Sequence, residues 1–123
     1  MEYIMVAAGG IVGAVMRYIV SGFIQKIHGT HFPYGTFFVN IIGAFLIGFL
    51  GTFMVERMNV DPHWRIFITA GVLGSFTTFS SIEYESLRLF ETGMLDLALF
   101  NLLGSVGIGF FAVWLGALLA RSI

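Results

Sequence analysis

Five polar side chains stand inside stretches otherwise apolar enough to lie in hydrocarbon: Arg17, Asn40, Glu83, Glu85 and Asn101. A charge or amide at that depth is costly unless it meets a partner or lines a path for a solute, so each is a candidate for chemistry. Arg17 can draw an anion into a vestibule, snorkel to the interface, or pair with a glutamate of the third apolar segment; the pairing is the expected arrangement. Asn40 lies in Gly35-Thr36-Phe37-Phe38-Val39-Asn40-Ile41-Ile42-Gly43, where Thr36 and Asn40 are four apart and share a helical face. Its amide has two N–H donors for an anion, and an interhelical hydrogen bond would use them equally well.

The third segment is the most informative. From Ile66 it is apolar to Phe76, turns polar through Thr77-Thr78-Phe79-Ser80-Ser81, and resumes toward Phe90 with Glu83, Glu85 and Arg88 interspersed. With Gly71 and Gly74 ahead of it, that polar run predicts a helix broken near its middle. Irregular backbone at membrane depth is tolerated only inside protein or against a cavity. The freed carbonyls then need a partner, either Ser and Thr hydroxyls that heal the break locally or a cation held by unwound carbonyls. Phe79 and Ile82, three apart, are expected near one face beside Ser80 and Ser81. A ring edge is electropositive, so a phenylalanine among hydroxyls suits a small anion. With 14 phenylalanines in the chain, any single one is more readily core or lipid-facing.

The elements that must position these groups follow from composition. The chain of 123 residues is 58% hydrophobic and 11% charged, with a mean hydropathy of +0.94, whereas soluble domains carry about a quarter charged residues. It reads as an all-α membrane protein in a lipid bilayer. A net charge of -1 with scattered Lys and Arg gives no patch for nucleic acid and no polybasic anchor. The absence of cysteine closes disulfide, thiolate-metal and cysteine-nucleophile chemistry. Met1-Glu2-Tyr3-Ile4 has no basic leader region, so the first apolar stretch is expected to be a retained helix. A crossing needs about 20 apolar residues. One transmembrane domain over 1–123 is therefore expected, with helices near 3–24, 34–55, 64–90 and 95–120 and no room for a soluble catalytic domain. Gln25 to His31, followed by Pro33, reads as the first turn; Asn59-Val60-Asp61-Pro62-His63 as the second, with Trp64 an interfacial anchor; Gly93 opens the third.

Orientation is nearly undetermined by charge. With four crossings, Arg57, Arg65 and Arg121 fall on the side of the termini and Lys26 and Arg88 opposite, three against two. Basic residues in short loops set orientation, so either one extra charge suffices or the chain inserts both ways and an antiparallel homodimer becomes possible. Small residues recur at helix-packing spacing in Gly9/Gly13, Ser105/Gly109 and Ala112/Gly116/Ala120. Such faces serve a seam between copies or packing within one bundle, and for any one pair the packing is the expected use.

Three strings carry a family resemblance. Gly9-Gly10-Ile11-Val12-Gly13-Ala14-Val15-Met16-Arg17-Tyr18, the Gly35–Gly43 stretch quoted above, and Gly71-Val72-Leu73-Gly74-Ser75-Phe76-Thr77-Thr78-Phe79-Ser80 resemble, in order and spacing, the signature stretches of the CrcB/Fluc fluoride channels. The likeness is close over the first three helices and looser over the fourth. It implies a dual-topology antiparallel homodimer in the inner (plasma) membrane, with two fluoride pores formed jointly by both copies. It also implies a structural Na+ at the dimer centre, held by the backbone carbonyls of Gly74 and Thr77. The family's pore asparagine maps to Asn40, its vestibule arginine to Arg17, the first of two pore phenylalanines to Phe79 and a pore serine to Ser105. Thr36, Thr78, Ser81 and Glu85 match a polar track beside the pore. Two positions depart from the pattern: Ile82 replaces the second phenylalanine, and Asn101 a tyrosine whose hydrogen bond an amide could still donate.

Fluoride is small and strongly hydrated, so a selective pore must offer donors and ring edges without holding the ion too tightly. Because HF crosses bilayers and ionises inside, a passive channel suffices for export, which suits a chain without a Walker motif. A small four-helix multidrug or cation exchanger would need a carboxylate in its chamber, commonly in the first helix, where this chain has Arg17 and no acid beyond Glu2. A non-transporting membrane assembly subunit would show no flux at all. An enzyme is the poorest fit: no Ser/His/acid or metal-spaced set appears, and His28, His31 and His63 are expected in solvated loops.

Overall fold

The computed structural model describes residues 1–29 and 31–123; Thr30, part of the turn expected after the first helix, lies outside the described residues. Four helices are long and apolar enough to cross a membrane: α1 (Glu2–His28), α2 (Tyr34–Arg57), α3 (Pro62–Glu91) and α4 (Leu95–Ser122). α1 continues past the end expected near residue 24. Gln25 stays helical because its side chain, not its backbone, holds the returning chain: Nε2 donates to the Phe32 carbonyl at 3.1 Å and Oε1 accepts from the Gly35 N–H at 3.0 Å. Phe32 is buried there against the rings of Tyr34, Phe37 and Phe100, with centroids 5.0, 5.6 and 5.6 Å away.

The start of α3 has its own signal. Asp61 caps it by accepting from the His63 N–H at 2.8 Å, and Pro62 occupies the first turn, where no N–H is needed. Trp64 is exposed beside that cap. Gly93, at φ 83°, allows the tight reversal between α3 and α4 that a side chain would strain. The expectation that all three histidines lie in loops is corrected for two of them. His28 closes α1, near the Ile24 carbonyl, and His63 sits in the first turn of α3 beside Asp61.

Lipid offers apolar helices no hydrophobic reason to associate, so close backbone contact must hold the bundle. Glycines provide it along two seams. Between α2 and α4, a Cβ on Gly48 would collide with the Val113 carbonyl, and one on Gly116 with the Phe45 carbonyl. Between α1 and α3, a Cβ on Gly9 would lie 2.8 Å from the Gly71 Cα and collide with the Phe67 carbonyl. Gly13 abuts Val72 and Ser75, and Ala112, Gly116 and Ala120 are all buried. Gly9/Gly13 and Ala112/Gly116/Ala120 are thus used inside one chain.

α3 is not uniform along its length. Helical elements run from Pro62 to Phe76, with wider π-type turns over Phe67–Leu73, and resume over Ser80–Glu91. Gly71 and Gly74 are themselves helical, and Gly71 serves the seam with Gly9. The backbone departs at Thr77, which is extended with φ -90° and ψ 158°.

Candidate functional site

Leaving a helix at Thr77 strips backbone groups of their partners, and neighbouring polar residues answer several of them. The Thr77 N–H and hydroxyl both donate to the Leu73 carbonyl, at 3.2 and 3.1 Å. Asn40 reaches across from α2 and acts as a peptide surrogate: its Oδ1 accepts from the Thr78 N–H at 2.7 Å and its Nδ2 donates to the Thr78 carbonyl at 3.0 Å. That double bond also fixes the amide orientation, since the N–H must meet an acceptor and the carbonyl a donor. One of the two N–H groups of Asn40 is therefore committed to Thr78, so the interhelical use anticipated for it is present. The Thr78 hydroxyl in turn donates to Ser81 Oγ at 3.3 Å and accepts from the Ser81 N–H at 3.4 Å, starting the second half of α3.

Arg17 corrects an expectation. It forms no ion pair with a glutamate among the described residues; its Nε donates to the Ser75 carbonyl at 3.0 Å. The reason is placement, because α1 packs against the half of α3 that precedes Thr77, whereas Glu83 and Glu85 lie beyond it. Among the described residues, the Gly74 and Thr77 carbonyls receive no donor from the chain. Gly74 is exposed and has no side chain to cover its carbonyl. Backbone oxygens without donors are of the type that replaces water around a hard monovalent cation. No cluster of His, Asp or Glu among the described residues offers an alternative metal site.

Beside this connector runs a polar groove. Arg17 and Ser21 of α1, Thr36 of α2, and Ser80, Ser81, Tyr84 and Glu85 of α3 enclose about 500 Å³. Ser21, Thr36, Tyr84 and Glu85 also line a second space of about 610 Å³ that extends past Gln25 to His31, Arg88 and Thr92. The two form one track, with an arginine toward each end and a half-buried carboxylate between. Arg88 lies over the Tyr84 ring, 6.0 Å from its centroid. Ser21, Gln25 and Tyr84 were not singled out from sequence. For the first two the signal was present, since Arg17, Ser21 and Gln25 repeat every four residues along one face.

The remaining site residues lie elsewhere. Phe79 is 68% exposed and Ile82 only 9%, so the two do not share a face as their spacing predicted. Phe79 caps the resumed helix with φ and ψ already helical, and its ring projects away from the buried side that takes Ile82. Ile82 instead heads a buried stripe with Ser86 and Leu89 toward α4. There Asn101, fully buried, donates from Nδ2 to Ser86 Oγ at 2.8 Å and to the Ile82 carbonyl at 3.4 Å. Both of its N–H groups are thereby engaged within the chain, and what remains is the unpaired Oδ1, an acceptor and the wrong polarity for an anion. Ser105, one turn further along α4, has a buried hydroxyl without a partner.

Comparison with known proteins bears on this arrangement. The family model described as CrcB-like protein, Camphor Resistance (CrcB), matches residues 4–117. A fluoride-specific ion channel FluC of Acidobacterium capsulatum is 43% identical over 123 residues, covering 100% of this chain and 98% of its own. Proteins of the same name from Solibacter usitatus and Koribacter versatilis are 44% and 45% identical, covering 98% and 99% of this chain and 99% and 97% of theirs. The family is one of ion channels, and the chain is not an enzyme. A match that spans all four helices at this identity leaves one conclusion: the chain belongs to the CrcB-like family.

Proposed function

We propose that the protein is a fluoride-selective channel that lets cytoplasmic fluoride leave passively. The observation that carries this reading is the polar track from Arg17 to Arg88, running through an otherwise apolar bundle whose full-length relatives are named fluoride-specific channels. Arg17 and Arg88 raise the local anion concentration at the two ends. Thr36, Ser80, Ser81 and Tyr84 supply hydroxyl donors in place of water, and Asn40 holds the connector beside them while keeping one N–H. Donors that are many and individually modest suit a pore, because an ion that binds too well does not leave.

The functional unit in this reading is an antiparallel dual-topology homodimer in the plasma membrane with two pores. What supports it is the near-even distribution of positive charge between the two sides and the outward projection of Phe79, which a single chain leaves without an ion path to line. Its ring edge, together with Ser105, then completes a pore only when a second copy is opposed. The break in α3 belongs to the same reading. The carbonyls of Gly74 and Thr77 would hold one Na+, which supplies fixed positive charge and satisfies the two oxygens the chain leaves open.

The test is fluoride efflux from proteoliposomes, with chloride efflux, a sodium-free preparation and Asn40→Asp run alongside. Fast fluoride and negligible chloride flux, lost in the variant, are the expected results. Proton-coupled efflux of an organic cation without fluoride flux would instead make Glu85 the working group and favour an exchanger. No flux of either kind from folded protein would leave an assembly subunit.

A further inference from the structure

A separate groove opens between the end of α2 and the start of α3, away from the polar track. Gly51, Met54 and Val55 face Pro62, Ile66 and Arg65 across about 310 Å³ of almost wholly apolar space. Arg65 is anomalous there. Its Nε is buried without a hydrogen-bond partner, its other nitrogens make no bond, and no carboxylate approaches within ion-pair distance among the described residues. Two carboxylates on this side are otherwise engaged: Glu56 is gripped by Arg121 through two contacts of 3.2 and 3.1 Å, and Asp61 accepts from His63. A part-buried guanidinium in a membrane protein is normally paired.

We propose that this groove takes one anionic phospholipid, its phosphate on the terminal nitrogens of Arg65 and an acyl chain laid along Gly51, Met54, Val55 and Ile66. The guanidinium fork matches phosphate oxygens, and hydrocarbon matches the lining; no single water-soluble anion satisfies both. Depth agrees. Trp64 is exposed beside Arg65 and Pro62 begins the helix, so the charged rim sits at headgroup level and the apolar floor below it. Gly51 leaves the floor open, since a Cβ there would meet nothing within 4 Å.

The experiment is native mass spectrometry and thermal unfolding of delipidated full-length protein, titrated in turn with phosphatidylglycerol, phosphatidylcholine and inorganic phosphate. Phosphatidylglycerol should be retained and should raise the melting temperature, with about ten-fold weaker retention in Arg65→Gln. Gly51→Leu puts a side chain into the groove from a position whose Cβ meets nothing within 4 Å, and it should weaken retention similarly while leaving fluoride flux intact, which separates this inference from the channel reading. Equal retention of both lipids, equal binding by the wild type and both variants, or full competition by inorganic phosphate would each overturn it. A change of oligomeric state in Gly51→Leu with unchanged lipid binding would assign the groove to a second copy and overturn it as well.

Discussion

The seam between α2 and α4 and the connector at residues 77–79 hold the same bundle together by opposite means. Along the seam, Gly48 and Gly116 let backbones touch, and the polar contact between these two helices is the exposed Arg121–Glu56 pair at their ends. At the connector, side chains stand in for missing backbone bonds, Asn40 above all. Dispersion contact needs only small residues and leaves nothing over. Polar substitution leaves a remainder: carbonyls at Gly74 and Thr77 and a line of hydroxyls beside them. In the proposed channel that remainder is where an ion would be handled, which puts the proposed function where the fold departs from regular packing.

Breaking the polar side should have the largest effect. Asn40→Ala strands both the N–H and the carbonyl of Thr78, so fluoride flux should fall by about 100-fold and stability by about 2–4 kcal/mol, read from efflux and chemical unfolding. If flux survives while stability drops, Asn40 is a strut and the track does not depend on it.

Breaking the apolar side should cost stability first. Gly116→Ala places a methyl group against the Phe45 carbonyl and 2.7 Å from the Phe49 nitrogen, and overpacking of this kind costs about 1–3 kcal/mol. The ratio of fluoride to chloride flux in the folded fraction should not change. A change in that ratio would show that the seam and the pore are coupled and would dissolve the contrast between the two regions.

Asn101→Leu sharpens the comparison by turning a polar contact into an apolar one. It leaves the Ser86 hydroxyl and the Ile82 carbonyl without their donor but also removes an unpaired buried oxygen, so a net loss of about 1 kcal/mol is expected with flux retained. Loss of flux at normal stability would place Asn101 on the ion path. The smallest effect belongs to Glu56→Gln: its ion pair with Arg121 is exposed, and both melting temperature and flux should stay at wild-type values.

Much of the architecture was legible in the residues. Runs of apolar sequence set the four spans, since only a helix satisfies its own backbone in lipid. Asn59-Val60-Asp61-Pro62-His63 read as the turn ahead of α3, although the helix already begins at Pro62, and Gly93 as the turn after it. The polar run at Thr77-Thr78 includes the extended Thr77, and hydroxyls are of little use in hydrocarbon unless bonds are missing. Gln25 misled for a related reason: a polar residue near a helix end reads as a turn, yet its side chain can fasten the loop while its backbone stays helical.

What the sequence by itself determined, then, was which residues repeat along one helical face and roughly where the chain turns, the Phe79–Ile82 pair and Gln25 excepted, because both depend on spacing along one helix. Which face meets which was decided only by the tertiary structure. Arg17 finds a carbonyl instead of a glutamate, Asn40 finds Thr78, and Ser21 joins Thr36 and Glu85 in one track because glycine contacts set how the helices lie against each other. Those contacts pair positions tens of residues apart, and no periodicity within a single segment encodes them.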